Sequence, residues 1–380
     1  MKIDRIHFQI IPDSKGKDTL EAQMLSDGTS VIASVPTGES TGKNEAKVIP
    51  PQKALEKTDW IFSQIKDHDF ATLDQFDGLL TTLDGTEDKS NLGGNLIIAL
   101  SMAFAKLLAK SAGMEVWQLV SKISGAKPSL PLCFFNVIEG GVHGNPPAGG
   151  LPFQEYWFIP KTNSPQKSLD EANDFLKLLG DKIKDGYGEV EMGSEGGYTI
   201  PSKNAEDGLK IMQEISSNAQ FGLDCAATKL ENKIDLSYYQ LLTTNYNLLA
   251  IEDPYSEDDW DGFSKITASL GEKIWIIGDD LTTTNPKRLK MAADKNAVNA
   301  VIIKPTQIGT VTETIQAVNL AKSYGWKIVV ANRGEETMDT FIADLAVGIG
   351  ADGLKSGCPL QKERMVKYER LVEIEKTWHI

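Results

Sequence analysis

The sequence predicts an α/β protein: a (β/α)8 barrel of the TIM type preceded by a smaller α+β domain. Three observations carry this expectation. Residues 1–126 place strand-like segments first and helix-like segments after them, the pattern of an α+β unit. Residues 127–380 alternate short apolar runs with helical segments, over about the ~250 residues that such a barrel needs. Charged residues then follow the apolar runs one after another. Asp224, Glu252, Asp279, Lys304 and Arg333 lie 25 to 29 residues apart, about one βα unit each, and a barrel gathers its strand ends at one mouth.

In the first domain, Arg5 to Ile11 reads as a strand, followed by the loop Asp13 to Asp18. Thr19 to Met24 and Thr29 to Ser34 bracket Ser26-Asp27-Gly28, a good hairpin turn. Pro36 to Gly42 is rich in glycine and small hydroxyl residues. It suits either a solvated connector or a lid that closes on a ligand. From Pro51 to Gly113 the apolar spacing becomes helical, with the longest run at Leu96 to Lys110. Pro128 to Pro131 marks the domain boundary.

In the second domain the strand candidates are Leu132–Ile138, Phe153–Ile159, Glu189–Met192, Phe221–Leu223, Leu248–Ile251, Ile274–Ile277, Ala300–Ile303, Lys327–Val330 and a weaker one at Gly353-Leu354. That is nine candidates for eight places. Continuous apolar runs such as Leu248–Ile251 suit strands covered on both faces. Helical segments follow at Asn204–Ser216, Pro286–Asp294, Thr312–Ser323 and Thr337–Ile349.

The formal net charge is -14, which argues against nucleic-acid binding and against docking on an anionic membrane. It leaves open an anionic small substrate, because a bound cation inverts the local field. Cys133, Cys225 and Cys358 are scattered and show neither a disulfide framework nor zinc spacing, so a reducing, cytoplasmic setting is expected. The N-terminus lacks a signal-peptide core, and the apolar stretch Leu96–Ala109 carries Lys106, which suits a buried helix rather than a span.

Three consecutive units end in carboxylates, Asp224, Glu252 and Asp279, and the next ends in Lys304. Taken singly, each acid suits a solvated loop or an ion pair. Taken together they repel one another at one mouth, and a hard divalent cation such as Mg2+ resolves the repulsion with oxygen ligands. Lys304 ends a strongly apolar strand, where burial lowers an amine's pKa. A neutral amine beside a metal suits removal of a proton alpha to a carboxylate. Glu195 is placed to act as acid or base on another substrate atom.

These residues also carry a resemblance. The chain resembles the enolases, phosphopyruvate hydratases, through Ser34-Val-Pro-Thr-Gly-Glu-Ser-Thr-Gly42, Phe134-Phe-Asn-Val-Ile-Glu-Gly-Gly-Val-His143, Gln154-Glu155, Gly193-Ser-Glu-Gly-Gly197, Ile251-Glu-Asp-Pro254, the run Gly278 to Arg288, Lys304-Pro-Thr-Gln-Ile-Gly-Thr310, Asp339 to Leu345 and Lys355-Ser-Gly357. A lysine base with one or two Mg2+ ions is a general property of that superfamily. The resemblance implies Mg2+-dependent, reversible dehydration of 2-phosphoglycerate to phosphoenolpyruvate in glycolysis and gluconeogenesis. It implies Lys304 as the base and Glu195 as the acid, supported by Glu155. It implies Asp224, Glu252 and Asp279 as ligands of one Mg2+, with Ser40 holding a second that arrives with substrate. It further implies that His143, Gln154, Arg333, Gly334 and Lys355 join Glu155 and Lys304 in contacting substrate, that an early barrel strand runs antiparallel, and that the protein forms a homodimer or larger even-numbered assembly.

The chain departs from the family pattern at Lys15, Glu39, Ser194, Asn332 and Gly334, where the family has Arg, Ala, Asp, His and Ser, and the stretches after Glu45 and Thr228 are short. Glu39, Asn332 and Gly334 fall near the expected phosphate. Loss of one donor to a charged group costs on the order of 1.5–3 kcal/mol, and Arg333 can still grip a phosphate bidentately. Two alternatives therefore stand beside the dehydratase: a paralogue acting on a different carboxylate, and a non-catalytic protein on the same fold.

Overall fold

The computed structural model of the 380-residue chain describes residues 1–38, 42–144 and 150–377. Glu39, at the start of the second half of the expected lid, and Ser40, the expected ligand of a second metal ion, lie outside the described residues.

The first domain opens with an antiparallel meander of β1 (Arg5–Pro12), β2 (Asp18–Ser26) and β3 (Thr29–Ser34). The expected hairpin is there, with Asp27 at φ 44° and Gly28 at φ 71°. Two positive φ values match the twist of the flanking strands. Helices α1 (Pro51–Glu56), α2 (Thr58–Ile65), α3 (Leu73–Asp84), α4 (Gly94–Ser111) and α5 (Val116–Ser124) follow. Thr72 caps α3 by accepting from the Gln75 N–H, and Gly85 closes it in the left-handed region. Among the described residues α4 is one helix long and apolar enough to cross a membrane, but 78% of it is buried in the protein. It packs on β2 and β3 as the core of the domain.

The barrel is built from β4 (Leu132–Glu139), β5 (Glu155–Ile159), β7 (Gln220–Asp224), β8 (Leu248–Glu252), β9 (Trp275–Gly278), β10 (Ala300–Ile303), β11 (Lys327–Ala331) and β12 (Gly353–Lys355); the two-residue β6 (Tyr198–Thr199) pairs with β4 outside this ring. β12 pairs with β4, so the ring closes. The intervening helices are α6 (Pro165–Tyr187), α7 (Glu206–Ile215), α8 (Leu236–Asn245), α9 (Trp260–Leu270), α10 (Pro286–Asp294), the single turn α11 (Pro305–Ile308), α12 (Val311–Ser323), α13 (Phe341–Gly348) and α14 (Lys362–Lys376). Phe134, Trp157, Ile159, Ala250, Ile277, Ala300, Ile302, Val329 and Ala331 fill the interior. The result is a packed core beneath the mouth rather than a pore.

Two details position the site. β5 runs antiparallel to both β4 and β7, so its first residue, Glu155, pairs with Glu139 at the end of β4 and with Asp224 at the end of β7. A residue at a strand's beginning thereby reaches the mouth where the other strands end. The second detail corrects an expectation. Glu189–Met192 is not a barrel strand; only Met192 makes an isolated bridge, to Tyr198. Its alternation of carboxylates with Val190 and Met192 imitates a half-buried strand, but the segment is largely exposed. Removing it leaves eight strands for eight places.

Candidate active site

A cavity of about 250 Å3 opens at the mouth of the barrel. It is lined by His143, Gln154, Glu155, Glu195, Asp224, Asp279, Lys304, Arg333, Gly334 and Lys355. These ten were singled out from the sequence; Gly38, Glu45, Val142, Ala226, Lys229, Asp253, Asp280, Gln307 and Asn332 line the cavity as well. Glu252 is fully buried and pairs with Asp224 across β7 and β8.

The carboxylates come from three adjacent strands. Asp224 ends β7, Glu252 ends β8, and Asp279 follows β9. Asp253 aims the third. It adopts φ 40°, a left-handed conformation uncommon for a residue with a side chain. Its oxygens accept the Asp279 N–H at 3.0 Å and the Asp280 N–H at 2.7 Å. Asp253 therefore scaffolds the turn that presents Asp279.

Cations interleave with these acids. Lys355 Nζ lies 2.9 Å from both oxygens of Glu252, 3.2 Å from Asp224 Oδ2 and 3.3 Å from Glu155 Oε2. It also sits 4.7 Å above the Trp157 ring, where the ring face attracts a cation. Burial disfavours its charge, but Glu155, Glu252 and Asp224 outweigh that and hold Lys355 well above the usual lysine range. Lys304 pairs with Asp279 Oδ2, and Gln307 Nε2 donates to the other oxygen at 3.0 Å. Burial alone was expected to lower Lys304. Burial does oppose its charge, but the Asp279 carboxylate more than offsets it, and Lys304 is raised. The strand end shows the burial, and an ion pair with Asp279 or Glu252 is the other reading of Lys304 that the sequence offers; the fold selects Asp279.

Burial first, and the Asp224 charge next, push Glu252 well above the usual carboxylate range. Asp279 is lowered, because Lys304 and Lys355 overcome its burial. Among the described residues two groups have ligand atoms within 4.8 Å of one another: His143, Glu155 and Glu195; and Asp253, Asp279 and Asp280. The expected trio of Asp224, Glu252 and Asp279 is not drawn together to that distance, and the two lysines stand against it. Even so, three buried carboxylates at adjacent strand ends, one of them driven toward its neutral form first by burial and then by the Asp224 charge, are a hard oxygen donor set that fits a divalent cation.

The opposite side of the cavity belongs to Glu195. Asn332 Nδ2 donates to its two oxygens at 3.3 and 3.2 Å, and Arg364 Nη1 lies 3.3 Å from Oε2. His143 Nδ1 is 3.4 Å from Glu155 Oε1. Burial would lower His143, but its hydrogen bond to Glu155 and the charges of Glu195 and Glu155 raise it to about 9. Glu155 Oε2 also accepts from Trp157 Nε1 at 2.7 Å. Against its burial, Lys355 and His143 hold Glu155 below the usual range. Gln154 Nε2 donates to Asp224 Oδ2 at 3.3 Å.

Arg333 lies on the lid side. Its Nη1 donates to Glu45 Oε2 at 2.9 Å and to Thr306 Oγ1 at 3.0 Å. Thr37 exchanges backbone hydrogen bonds with Glu335, at 2.8 and 3.0 Å, so the first half of the expected lid is pinned to the barrel. A side chain at Gly38 would meet Arg333 at 1.9 Å, which explains glycine there.

Sequence reasoning missed Asp253's two backbone bonds, Arg364, Glu45, Gln307 and Glu139. Glu139 carried a signal: it ends an apolar strand just before Gly140-Gly141, as the other site acids end theirs. Arg364 gave none, because it lies inside a charged helix that reads as solvent-facing, yet it is fully buried.

Known proteins share this architecture. Residues 3–120 match the enolase N-terminal domain and residues 226–379 the enolase C-terminal TIM barrel domain. The chain is 34% identical to Enolase B of Dictyostelium discoideum over 424 residues, covering 99% of this chain and 95% of that one. It is 35% identical to the enolase of Methanopyrus kandleri over 413 residues, with 99% and 96% covered. It is 34% identical to the enolase of Elusimicrobium minutum over 408 residues, again with 99% and 96% covered. With both domains matched and near-complete coverage of full-length relatives, the chain belongs to the enolase family.

Proposed function

We propose that this chain is a lyase that interconverts 2-phosphoglycerate and phosphoenolpyruvate, with Lys304 as base and Glu195 as acid. The observation that carries the reading is their placement. Both line one cavity, Lys304 entering from β10 and Glu195 from the side of β4, with Asp224, Asp279 and Lys355 around the same space. In the forward direction Lys304 Nζ, in its neutral form and released from Asp279, takes the C2 proton, and the C2–H electron pair moves into the carboxylate. That pair returns to form the C2–C3 double bond as the C3–O bond breaks. Glu195 gives its proton to the departing hydroxide, which leaves as water. Glu155, paired with His143 and Lys355, holds the acid side of the cavity in place.

Asp224, Glu252 and Asp279 would hold a divalent cation, which would supply positive charge for the substrate carboxylate, whose developing charge is otherwise prohibitive. Gln154, His143, Lys355, Arg333 and the backbone of Gly334 are assigned to substrate. Mg2+ as the ion, two ions per site with Ser40 in the second, an even-numbered homo-oligomer, the cytoplasm and a glycolytic role belong to the same proposal, on family grounds. A second reading, an enolase-like enzyme with another carboxylate substrate, is favoured by one observation: the Arg333 guanidinium is already engaged by Glu45.

The test is the purified protein with 2-phosphoglycerate and Mg2+, following the ultraviolet absorbance of the enol product. Turnover is expected. Lys304→Ala is expected to lower it by at least about a hundredfold with the circular dichroism spectrum retained. Absence of turnover in protein that binds Mg2+ sinks the dehydratase reading; near-normal turnover of the variant removes Lys304 as base.

A further inference from the structure

We propose that Glu139 is a positioning residue for Glu195, serving loss of the C3 hydroxyl and not proton removal at C2. The inference rests on the assignment of Glu195 as the acid.

Glu195 lies on no strand or helix. It sits in the turn 193–197, between the exposed segment 189–192 and the two-residue β6, so regular structure does not fix its backbone. Glu139 does. The Glu195 N–H donates to both oxygens of Glu139, at 3.2 and 3.0 Å, and the Gly197 N–H donates to Oε1 at 2.6 Å. Glu139 is the last residue of β4 and is fully buried. The anchor therefore belongs to the barrel, and it holds the backbone of the residue whose side chain enters the cavity.

The turn is shaped to this carboxylate. A Cβ at Gly193 would lie 2.3 Å from Glu139 Oε2, and one at Gly197 would lie 2.9 Å from Oε1. Gly196 turns the chain at φ 86°. Gly193 and Gly197 lack side chains where the chain wraps a buried carboxylate at contact distance, and Gly196 is required by its positive φ. Neither hydrogen bond reaches Lys304, which enters from β10 and is held by Asp279 and Thr284. The two half-reactions thus have separate supports.

An amide that keeps its oxygen at Oε1 still accepts from Gly197, but its NH2 group replaces Oε2, so the Glu195 N–H loses its shorter acceptor and faces another donor there. The turn must then shift, and a displacement of about 1 Å costs a reaction about a hundredfold.

The test compares wild type, Glu139→Gln, Gly197→Ala and Glu195→Gln with 2-phosphoglycerate and Mg2+ in D2O. Two rates are read: replacement of the C2 hydrogen by deuterium, followed by proton NMR of the substrate, and formation of the enol product. Glu139→Gln is expected to lower the dehydration kcat about tenfold to a hundredfold while KM and the washout of the C2 hydrogen stay within about threefold of wild-type values. Gly197→Ala presses on the same carboxylate and is expected to give the same split, which covers the case of a poorly folded Glu139 variant. Parallel loss of both rates in the folded variants, or unchanged dehydration, overturns the proposal. If Glu195→Gln dehydrates normally, the assignment of Glu195 fails instead, and the two failures are told apart.

Discussion

Lys355 is a buried ammonium shared by Glu155, Asp224 and Glu252. Removing one member of such a network leaves buried charge without compensation, at a cost of about 3–5 kcal/mol. Lys355→Met is therefore expected to unfold at lower denaturant concentration than wild type. Mg2+ is expected to recover more stability in the variant than in wild type, because the acids have lost their internal cation. Equal Mg2+ effects in the two proteins would count against the shared role. That a charge stands at residue 355 was legible in the sequence, because a barrel gathers strand ends. Which acids it touches was not. Side-chain direction depends on register, and register is set by pairings such as Asp224 with Glu252 that adjacent residues do not encode. For the same reason the raised pKa of Lys304 was out of reach, while its burial was not.

At the scale of elements, the (β/α) rhythm gave the strands from β7 to β12 by position, and the misplaced strand at Glu189–Met192 came from period-two alternation on an exposed segment. The reversal of β5 was not visible in composition; the family resemblance supplied it. The packing of helix α3 against α12 joins the two domains and contains a group whose role only the fold reveals. Asp77 Oδ2 accepts the Thr312 N–H at 3.0 Å, its Oδ1 has no hydrogen-bond partner, and Val311 donates to Ser101 of α4 beside it. Burial pushes Asp77 up to about 6. Its folded pKa is above the unfolded one, so the folded state holds the proton longer, and stability falls as pH rises from about 4 to about 6. Asp77→Asn keeps the acceptor for Thr312 without a charge. It is expected to gain about 3 kcal/mol at pH 7 and nothing at pH 3.5, read as the difference in melting temperature between variant and wild type. A gain that is the same at both pH values would rule out ionisation as the cause.

At the scale of the whole molecule, an acidic chain gathers part of its charge at one mouth. A ligand that binds the folded state alone stabilises it by about 2.7 kcal/mol at a hundred times its dissociation constant. Mg2+ is expected to raise the melting temperature in a saturable way, EDTA to remove the gain, and Glu252→Gln to abolish it, the metal-free variant melting below wild type because Lys355 loses a charged partner. A Mg2+ shift surviving in Glu252→Gln would place the ion elsewhere.

Closure of the ring through β12 and β4 has a consequence for the order in which the molecule is made. Glu155, Asp224 and Glu252 are synthesised long before the lysine that neutralises them, and that lysine ends the strand that closes the barrel. A growing chain can build the first domain and most of the barrel wall, but it carries an unmet negative charge at the mouth until residue 355 arrives. The last strand to dock is also the counter-ion. Closing the barrel and relieving its internal repulsion are one event, which favours an all-or-none final step and disfavours a stable barrel that lacks its site.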